Sequence, residues 1–567
     1  MKHLFTLLFI LVSLKTYSQS IDNFLSAPWF GLSGGVSAQT VFSLGINEQH
    51  RLPFTYLLSG NLSPVIKGFA FPLSFSYSNQ QVNYGYVNPF NQFEIAPSYK
   101  WVKLYIGTSN MSFSPNTFSG QQFKGFGADL TPDGPFKISF MYGQLRNAVR
   151  ADSILNREAS FRRMGYGSKM SYSKNQHTYG FIFFKAKDDP KSLNRFNHFS
   201  EYNPTVEHTN LHAKENLTTE FSYTGLIAPD LRLSANYALS QFNSDHTAFS
   251  EKPKGIIPIL TSFMMSSNTA TSYHRSYKLG LNYRWIGIGY ERIDPGYQTL
   301  GTFFSNNDME NFTINTNYQF SKINIGGNFG VQRNDLLNVK ESSAKRFVWA
   351  INTNWQTSNQ INMGANYSNF TSFTYIRPIS EINDLPPFDF IDTLSFSQLS
   401  QSADYVLSWA FPERKSGRQN LSYMFNFQDA KDMKYEGRLQ GMKAYNQSLF
   451  YSVSLPNENS YAVGLNSTIQ NTIERHSHLL GVTVSQGTSI YNKQIRIRNA
   501  LSYNVEISKD APKIHIFNLR SSAIYTYEKN HNFSANIIQQ ARFFPNAKNR
   551  YSLVFSLGYG YNFNKKM

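Results

Sequence analysis

Few residues of this 567-residue chain have the types and spacing that catalysis would need. The stretch GLSGG, residues 31–35, matches the G-x-S-x-G nucleophile elbow, in which a strand–turn–helix exposes the serine beside a histidine. The next residues, VSAQTVFSL, read as a strand and not as a helix. We therefore do not expect Ser33 to be a nucleophile, and its glycine neighbours are better explained by close packing where the chain joins a sheet.

Two groups of histidines have a spacing that could hold a metal. Glu207, His208 and His212 would share a face only in a helix, whereas the surrounding HFSEYNPTVEHTNLHAKENL is a polar loop. His476 and His478 share one face of a strand, but two ligands are weak support for a transition-metal site. We find no nucleotide-binding loop, no EF-hand and no cysteine. The sequence therefore predicts no catalytic residue, no metal and no cofactor.

The first residues, MKHLFTLLFILVSLKTYSQS, have a basic start at Lys2, an apolar core and a small polar end. The apolar run is too short to span a bilayer, so the stretch predicts a secretory signal peptide over residues 1–18, cleaved after Ser18. Without cysteine, neither a lipid anchor on an N-terminal Cys nor a disulfide scaffold is possible.

Alternation of apolar and polar residues is the main structural signal. The last strand-like stretch, YSLVFSLGYGYNF, has a large apolar side chain at every second position and small or polar residues between them, with Val554 as the exception. Successive strand side chains point to opposite faces, so this pattern predicts a strand with one apolar and one polar face. The hairpin NFTINTNYQF–SKINIGGNFGV alternates in the same way, with a turn at Ser321.

Composition separates a membrane barrel from a soluble sheet. Aromatic residues make up 16% of the chain and charged residues also 16%, whereas about a quarter of a soluble domain is charged. The strand-like stretches are about 10–14 residues long, which exceeds the usual globular length and suits a tilted strand crossing a bilayer. No fixed internal repeat supports a soluble β-helix, sandwich array or propeller.

We therefore predict an all-β fold, an antiparallel transmembrane β-barrel of about 24–26 strands, with 26 the preferred number. Its predicted bounds are residues 35–563, after a short segment 19–34 and before a tail 564–567. Tight periplasmic turns should alternate with long external loops. The longer predicted loops are Asp188–Glu215, Phe242–Tyr273, Asp294–Glu310 and Ile376–Leu394.

The terminal strand also carries a pattern that outer-membrane barrels present to their insertion machinery: a polar residue, a glycine and two aromatics at alternating positions. Ser556, Gly558, Tyr561 and Phe563 match it, four residues before the end of the sequence. The physical reason is that a terminal strand must pair transiently with another open sheet edge before it closes on its own first strand. An amphipathic strand that simply comes last is the alternative.

The chain resembles the large outer-membrane β-barrels of Bacteroidota-type bacteria in its Tyr/Phe/Asn-rich strands and terminal LGYGYNF. The stretches FSPNTFSGQQFKGFGADLTPDGPFKISFMYGQL and YERIDPGYQTLGTFFSNNDMENFTIN are similar to barrels of that group that have no assigned substrate. The resemblance implies a Gram-negative outer-membrane location. TonB-dependent receptors carry a plug domain before the barrel, whereas strand-like alternation begins here by about Val36, so energised uptake by this chain alone is not expected.

The chain is basic, with a formal net charge of +17, and loss of Lys2 and Lys15 with the signal peptide lowers it by two, to +15. An exported barrel seldom meets nucleic acid, so none is predicted as a partner. Basic residues at the external rim could contact membrane lipid and lipopolysaccharide phosphates. Basic residues predicted to face inward, Lys137, Arg284 and Lys322, could make the lumen prefer anions. A solvated polar face is the alternative.

Two predicted loops are candidates for a partner site or for a pore constriction. The first, EINDLPPFDFIDTL, holds acids and aromatics on a loop stiffened by two prolines, a combination that suits protein docking. Its candidate residues are Asp384, Phe388, Asp389, Phe390 and Asp392.

The second loop, ERIDPGYQTLGTFFSNNDMENF, could also be a self-packed external loop. Its candidate residues are Glu291, Arg292, Asp294, Asp308 and Glu310.

A barrel of about 26 strands would enclose an open hole unless something fills it, because only small barrels are packed by their own side chains. The first function hypothesis is a passive channel or transport barrel whose lumen is constricted by loops. The second is a scaffold that docks a surface lipoprotein or a secretion or assembly component. Inward apolar residues would favour the scaffold and inward charges the pore; the readable inward residues are mostly Asn, Ser, Gly, Gln and Lys, which favours the channel. An enzyme ranks third.

Overall fold

A computed structural model describes most of the chain. The described residues are 29–45, 52–79, 91–149, 159–193, 211–247, 265–266, 271–303, 307–334, 336–337, 345–369, 372–374, 397–413, 417–433, 439–472, 476–509 and 511–566. The predicted signal peptide and the acidic–aromatic loop with Asp384, Phe388, Asp389, Phe390 and Asp392 lie outside them.

All strands of the described residues belong to one antiparallel sheet. In chain order they are β1 (Phe30–Leu44), β2 (Phe54–Ile66), β3 (Phe69–Ala70), β4 (Leu73–Ser78), β5 (Gln92–Ile95), β6 (Ser98–Tyr99), β7 (Val102–Asn110), β8 (Gln122–Leu130), β9 (Phe136–Arg146), β10 (Arg162–Lys174), β11 (His177–Asp189), β12 (Glu215–Ala228), β13 (Leu231–Asn243), β14 (Thr271–Tyr283) and β15 (Ile286–Ile293). The remaining strands are β16 (Met309–Phe320), β17 (Ile323–Asn334), β18 (Lys345–Gln356), β19 (Ile361–Ser368), β20 (Ser372–Thr374), β21 (Ser397–Ala410), β22 (Arg418–Met433), β23 (Leu439–Ser454), β24 (Ser460–Thr472), β25 (His476–Ile490), β26 (Ile495–Ser508), β27 (Ala511–Tyr527), β28 (His531–Phe543) and β29 (Arg550–Lys566).

The sheet closes because β1 pairs with β2 on one side and with β29 on the other. Three pairs of short strands, β3 with β4, β5 with β6 and β19 with β20, each share one position in the wall, so the 29 strands form a barrel of 26 positions. Pro72 and Pro97 lie at two of these interruptions, since proline cannot donate to a sheet ladder. The predicted antiparallel barrel of about 26 strands is confirmed.

The barrel wall includes more residues at each end than the predicted range of 35–563. β1 begins at Phe30 and β29 runs to Lys566, because their ladder extends from Gly31 opposite Lys566 to Leu44 opposite Leu553. The segment assigned before the barrel and the tail assigned after it therefore partly belong to the wall. No backbone ladder is left unpaired at the seam, which removes the edge that an open sheet would expose.

Connections at one end of the barrel are tight turns. Asn175 and Gln176, both with positive φ (50° and 67°), form a two-residue hairpin turn whose twist suits the flanking strands. Apart from Asp308, every described non-glycine residue with positive φ lies at this same end, including Ser321 at the predicted turn. The other end carries the longer connections, and we refer to the two ends as the tight-turn end and the long-loop end.

Strand side chains alternate between an apolar and a polar face, as predicted. In β16, Phe312 and Phe320 are 48% and 64% exposed on the apolar face, and β29 exposes Tyr551 and Leu557 in the same way. Aromatic rings of neighbouring strands contact each other along this face, for example Phe533 and Tyr559 with centroids 5.0 Å apart. Within the described part of the chain, no helix is long and apolar enough to cross a membrane.

Candidate lumen constriction

Two connections at the long-loop end fold onto the polar face of the sheet. The first lumen segment, residues 111–121, joins β7 to β8, and the second lumen segment, residues 294–303, follows β15. Seven other strands lie between β7 and β15, yet Phe118 bridges Gly301 and the Ser119 amide donates to the Gly301 carbonyl at 3.1 Å. Segments from distant strands approach each other on the concave side of a closed sheet. The polar face therefore lines the lumen, and the apolar face points outward.

Glycines in the wall make room for the first lumen segment. A Cβ atom on Gly127 would lie 2.5 Å from Met111 Sδ, and one on Gly167 would lie 3.1 Å from the Phe113 ring. Both glycines face the lumen on β8 and β10, where a side chain would displace the segment. The inner surface of this part of the wall is therefore shaped to hold the segment.

The first lumen segment contributes to a fully apolar cluster inside the barrel. Phe118 has no exposed surface and stacks on Phe184 of β11 with ring centroids 5.2 Å apart. The buried members of the cluster are Met111, Phe113, Phe118, Phe123, Met141, Leu145, Ile182, Phe184, Ala186, Phe242 and Leu300. Full burial of one such large side chain stabilises a fold by about 1.5–3 kcal/mol, so the cluster anchors the segment to the wall as a core would.

A buried carboxylate fixes the polar side of the first lumen segment. Glu220 on β12 is 1% exposed and accepts hydrogen bonds from Ser114 Oγ at 2.5 Å and from Asn236 Nδ2 at 3.2 Å. The Lys169 ammonium donates to the Phe113 carbonyl at 3.0 Å. Ser114 and Phe113 thus join the segment to β12 and to β10, and hydrogen bonds to charged groups are stronger than neutral ones.

The second lumen segment is joined to the first by two hydroxyl donors. Tyr297 is 1% exposed and its hydroxyl donates to the Asn116 carbonyl at 2.7 Å. Burial raises the pKa of Tyr297, so this hydroxyl stays protonated and remains a donor. Thr299 Oγ1 donates to the Thr117 carbonyl at 2.6 Å.

The second lumen segment is also held by the wall. Asn216 on β12 accepts from the Leu300 amide at 3.1 Å and donates through Nδ2 to the Gln298 carbonyl at 3.4 Å. Ser240 on β13 donates to the same carbonyl at 2.5 Å. The two lumen segments and the wall from β8 to β15 therefore form one hydrogen-bonded body.

The candidate residues of the second predicted loop lie at the base of this segment. The Asp294 side chain accepts from the Arg275 amide at 3.0 Å, and its carbonyl accepts from the Tyr297 and Asp308 amides at 3.1 and 3.3 Å. Asp308 holds a positive φ of 55°. These contacts close the loop where it leaves and rejoins the wall.

Two of the charged residues next to this base, Arg292 and Glu310, face outward. Arg292 Nη1 lies 3.7 Å from Glu310 Oε1, and Arg333 Nε lies 2.5 Å from Glu310 Oε2. Glu291 faces the lumen instead, with Lys278 at 3.5 Å. The predicted loop therefore divides into an ion-paired outer rim and a segment inside the barrel.

The half of the wall opposite the lumen segments is different. Several inward side chains there are exposed, with Met424 at 49%, Val406 at 40% and Phe450 at 37%, whereas inward amides such as Asn446 and Asn518 are shielded by their neighbours. Amide groups form ladders along it: Asn446 Nδ2 donates to Asn426 Oδ1 at 3.1 Å, and Asn426 donates to Asp404. This inner surface is suited to contact with water.

The predicted lumen-facing basic residues are placed unequally. Lys137 lies opposite Ser171 and shares the inner face of β9 with Met141. Arg284 and Lys322 are corrections to the prediction, because each occupies a tight turn and not a strand position. Arg284 has a positive φ of 50° and pairs with Asp230 of a neighbouring turn at 3.1 Å.

The residues of the predicted insertion signal, and Ser33, all lie within strands of the wall. Ser556 and Gly558 lie on the inner face of β29, whereas Tyr561 and Phe563 lie on its outer face with ring centroids 5.5 Å apart. Ser33 lies in the extended strand β1 and not at a strand–helix turn.

Glu207 and His208 of the first candidate metal group lie outside the described residues, and the described residues hold no cluster of three or more potential metal ligands. His476 Nδ1 lies 3.0 Å from Asn471 Oδ1, and His478 Nε2 lies 2.9 Å from Ser467 Oγ. Both contacts are with neighbouring strand positions.

Sequence reasoning missed the first lumen segment. Its signal was the pair of G-x-G patterns, GFG at residues 125–127 and GYG at 165–167, which place adjacent glycines on the inner face. A second signal was the apolar Phe113 and Phe118 inside a connection that was expected to be polar.

No protein-family model matches the sequence, and no curated protein is significantly similar to it. Among solved structures, the chain is similar to the P pilus usher (PapC) translocation pore, with 10% identity, coverage of 94% of this chain and 99% of that chain, and a TM-score of 0.35. It is similar to the FrpB iron transporter from Neisseria meningitidis, with 10% identity, coverage of 94% and 81%, and a TM-score of 0.38. For the copper transporter OprC, the values are 8% identity, 95% and 81% coverage, and a TM-score of 0.41. Values this low indicate nothing about what this chain binds.

Proposed function

We propose that this chain is an outer-membrane β-barrel that conducts small hydrophilic solutes passively through a lumen narrowed by the two lumen segments. The observation that carries the proposal is the unequal filling of the lumen. One half of the inner wall holds a packed constriction, whereas the other half leaves inward side chains such as Met424 and Val406 49% and 40% exposed, beside hydrogen-bonded amides.

The outward face supports a membrane location. Large apolar side chains remain exposed on the outer face of strands around the barrel, which would be costly in water and is favourable against lipid. The proposal places the tight-turn end in the periplasm and the long-loop end at the cell surface of a Gram-negative bacterium, after removal of the signal peptide. The partners are then outer-membrane lipid and lipopolysaccharide, with the insertion machinery during assembly. The proposed role includes no catalysis and no nucleic acid.

The lumen segments suit a fixed constriction better than a mobile gate. Phe118 and Tyr297 are fully or almost fully buried, and the segments are anchored to several strands of the wall. Opening would expose this apolar cluster and break hydrogen bonds to a buried carboxylate at Glu220, which costs more than thermal energy supplies. A steady conductance is therefore expected.

Planar-bilayer recordings test the proposal. The purified chain should give a steady conductance, and replacing residues 112–120 by a short Gly-Ser linker should raise it several-fold. The matched control replaces residues 545–548, in the connection between β28 and β29 at the same end, by a linker of the same kind and should leave conductance unchanged. Folded protein that stays silent in all three forms would overturn the channel.

A scaffold is the second candidate, because the apolar cluster around Phe118 makes one half of the interior resemble a protein core. In that role the barrel would dock a surface lipoprotein or a secretion component at the long-loop end. Purification from outer membranes in mild detergent distinguishes the two roles. A stoichiometric partner together with a silent barrel would favour the scaffold.

A further inference from the structure

The inner wall opposite the lumen segments carries a series of arginines. Leu501, Phe517 and Ile537 mark the outer faces of β26, β27 and β28, with 55%, 42% and 40% exposure. Since neighbouring side chains of a strand point to opposite faces, the even-numbered residues of these three strands face the lumen. They include Arg496, Arg498, Arg520 and Arg542, which we call the arginine track.

The arginine track runs along the height of the wall. Arg496 and Arg498 lie at the tight-turn end of β26, Arg520 is one row higher opposite Ala500, and Arg542 lies two rows further, opposite Ile516. Each row is two residues along a strand, so the track extends roughly 27 Å in the strand direction. That length is similar to the apolar band of such barrels, about 25 Å. An ion crossing the barrel would meet these guanidinium groups over most of its path.

Few acidic residues share the inner face with the track, and Arg542 donates to Gln540 at 2.8 Å. From β24 through β29 to β2, Glu506 is the only acidic residue at an inward strand position among the described residues. On the other half of the wall, inward acids are already engaged: Glu220 accepts from Ser114, and Asp188 lies 2.7 Å from the Arg163 guanidinium. On the side of the wall that carries the track, Glu506 is therefore the one acidic residue that the described inward strand positions place beside the four arginines.

That side faces the lumen segments. Thirteen wall positions separate β27 from β12 in one direction and eleven in the other, so the track is nearly opposite the packed half. Solutes kept off the β8–β15 wall by the constriction would pass along the arginines.

We infer that the arginine track makes this lumen select small anions, including those that carry carboxylate or phosphate groups; this rests on the proposed channel function. Guanidinium groups suit these anions because they offer several donors in a planar fork and stay charged at all physiological pH values. An anion about 7 Å from one unit positive charge in water is enriched about threefold, and a cation is depleted by a similar factor. The anion preference predicted from the sequence is therefore assigned to arginines at strand positions, and no longer to the tight-turn residues Arg284 and Lys322.

The test is the reversal potential of the full-length chain in planar bilayers under a tenfold KCl gradient at or below about 0.1 M, where screening is weak. Wild type should favour chloride over potassium by about threefold or more. The triple variant R496Q/R498Q/R520Q should keep its conductance and move the ratio towards one. The control R284Q/K322Q/K529Q removes the same charge from tight turns and should stay close to wild type.

The outcomes separate the two proposals. Two results would overturn the arginine track and leave the channel intact. One is a wild type that conducts without preferring anions. The other is an anion preference that the triple variant retains and the tight-turn control loses. A silent, folded wild type would overturn the channel and the track together. The charge-reversed variant R498E/R520E gives a second readout, because it should turn the preference towards potassium.

Discussion

The two halves of the barrel wall are built from the same kind of alternating strands and differ only in the side chains that face the lumen. From β8 to β15 the inner face combines glycines such as Gly127 with buried apolar residues such as Phe184, and it holds two folded segments. From β21 to β29 it presents amides such as Asn426, accessible apolar side chains and arginines such as Arg498. The outer face remains apolar on both halves.

This difference shows which constraint acts on each face. A lipid-facing side chain must be apolar wherever it lies, because the bilayer offers no hydrogen-bond partner. An inward side chain faces either water or protein, depending on what the connections do. The barrel thus combines a core-like interior and a water-compatible interior on one closed sheet. The half that the lumen segments pack against is the core-like one.

The largest expected contrast between the halves comes from removing one aromatic ring on each. Phe118→Ala leaves a cavity beside Phe184 and should destabilise the docked lumen segments by about 3–5 kcal/mol. Phe450→Ala removes a ring that is already 37% exposed to the lumen, and its effect should stay within about 0.5 kcal/mol.

Hydrogen exchange at the Ser119 amide, which donates to Gly301, measures this contrast. Its exchange rate should rise roughly 100-fold or more in Phe118→Ala, and it should not change in Phe450→Ala. Equal protection in both variants would mean that the segments are not held by the apolar cluster.

The strands were predictable because lipid imposes a two-residue period on every one of them. The hairpin with Phe312 and Ile325 could be read directly, and the count of about 26 followed from strand length and turn spacing. The ends were less predictable: β1 starts at Phe30 and β29 ends at Lys566, because polar residues continue a ladder once a partner strand is present.

The lumen was harder to predict from sequence. The loop with Asp294 and Asp308 was identified as a possible constriction, but the connection with Phe118 was not. Its packing depends on Phe184 and Glu220, which are distant in the chain and become neighbours only when the sheet closes. The alternation of apolar and polar residues shows on which face of a strand a residue lies, but it does not show which segment packs against that face.

An intermediate effect is expected from adding a side chain to one inward glycine of the β8–β15 wall and to one on β19, the strand that pairs with β21. In Gly127→Val the new atoms would collide with Met111, so the first lumen segment should shift at a cost of about 1–3 kcal/mol. Gly364→Val is the matched control on β19, because its nearest atom to a new Cβ is the Thr353 carbonyl oxygen at 3.9 Å.

Conductance and exchange at the Phe113 amide would show whether glycines shape only the packed half. We expect raised conductance and faster exchange in Gly127→Val, with wild-type behaviour in Gly364→Val. Similar changes in both would mean that any added bulk disturbs the barrel, and the distinction between the halves would lose its basis.

The smallest expected effect concerns the hydrogen bond between the two lumen segments. Tyr297→Phe keeps the buried ring and removes the hydroxyl that donates to the Asn116 carbonyl at 2.7 Å. One such bond contributes about 0.5–1.5 kcal/mol, and the buried carbonyl would lose its donor, so exchange at the Ser119 amide should rise about tenfold. Tyr503→Phe on β26 is the control, because its hydroxyl contacts His515 on the outer face, 2.7 Å away, and should leave that amide unchanged. A null result in Tyr297→Phe would mean that the wall alone holds each segment. The constriction would then be two independent loops, and removing one would not loosen the other.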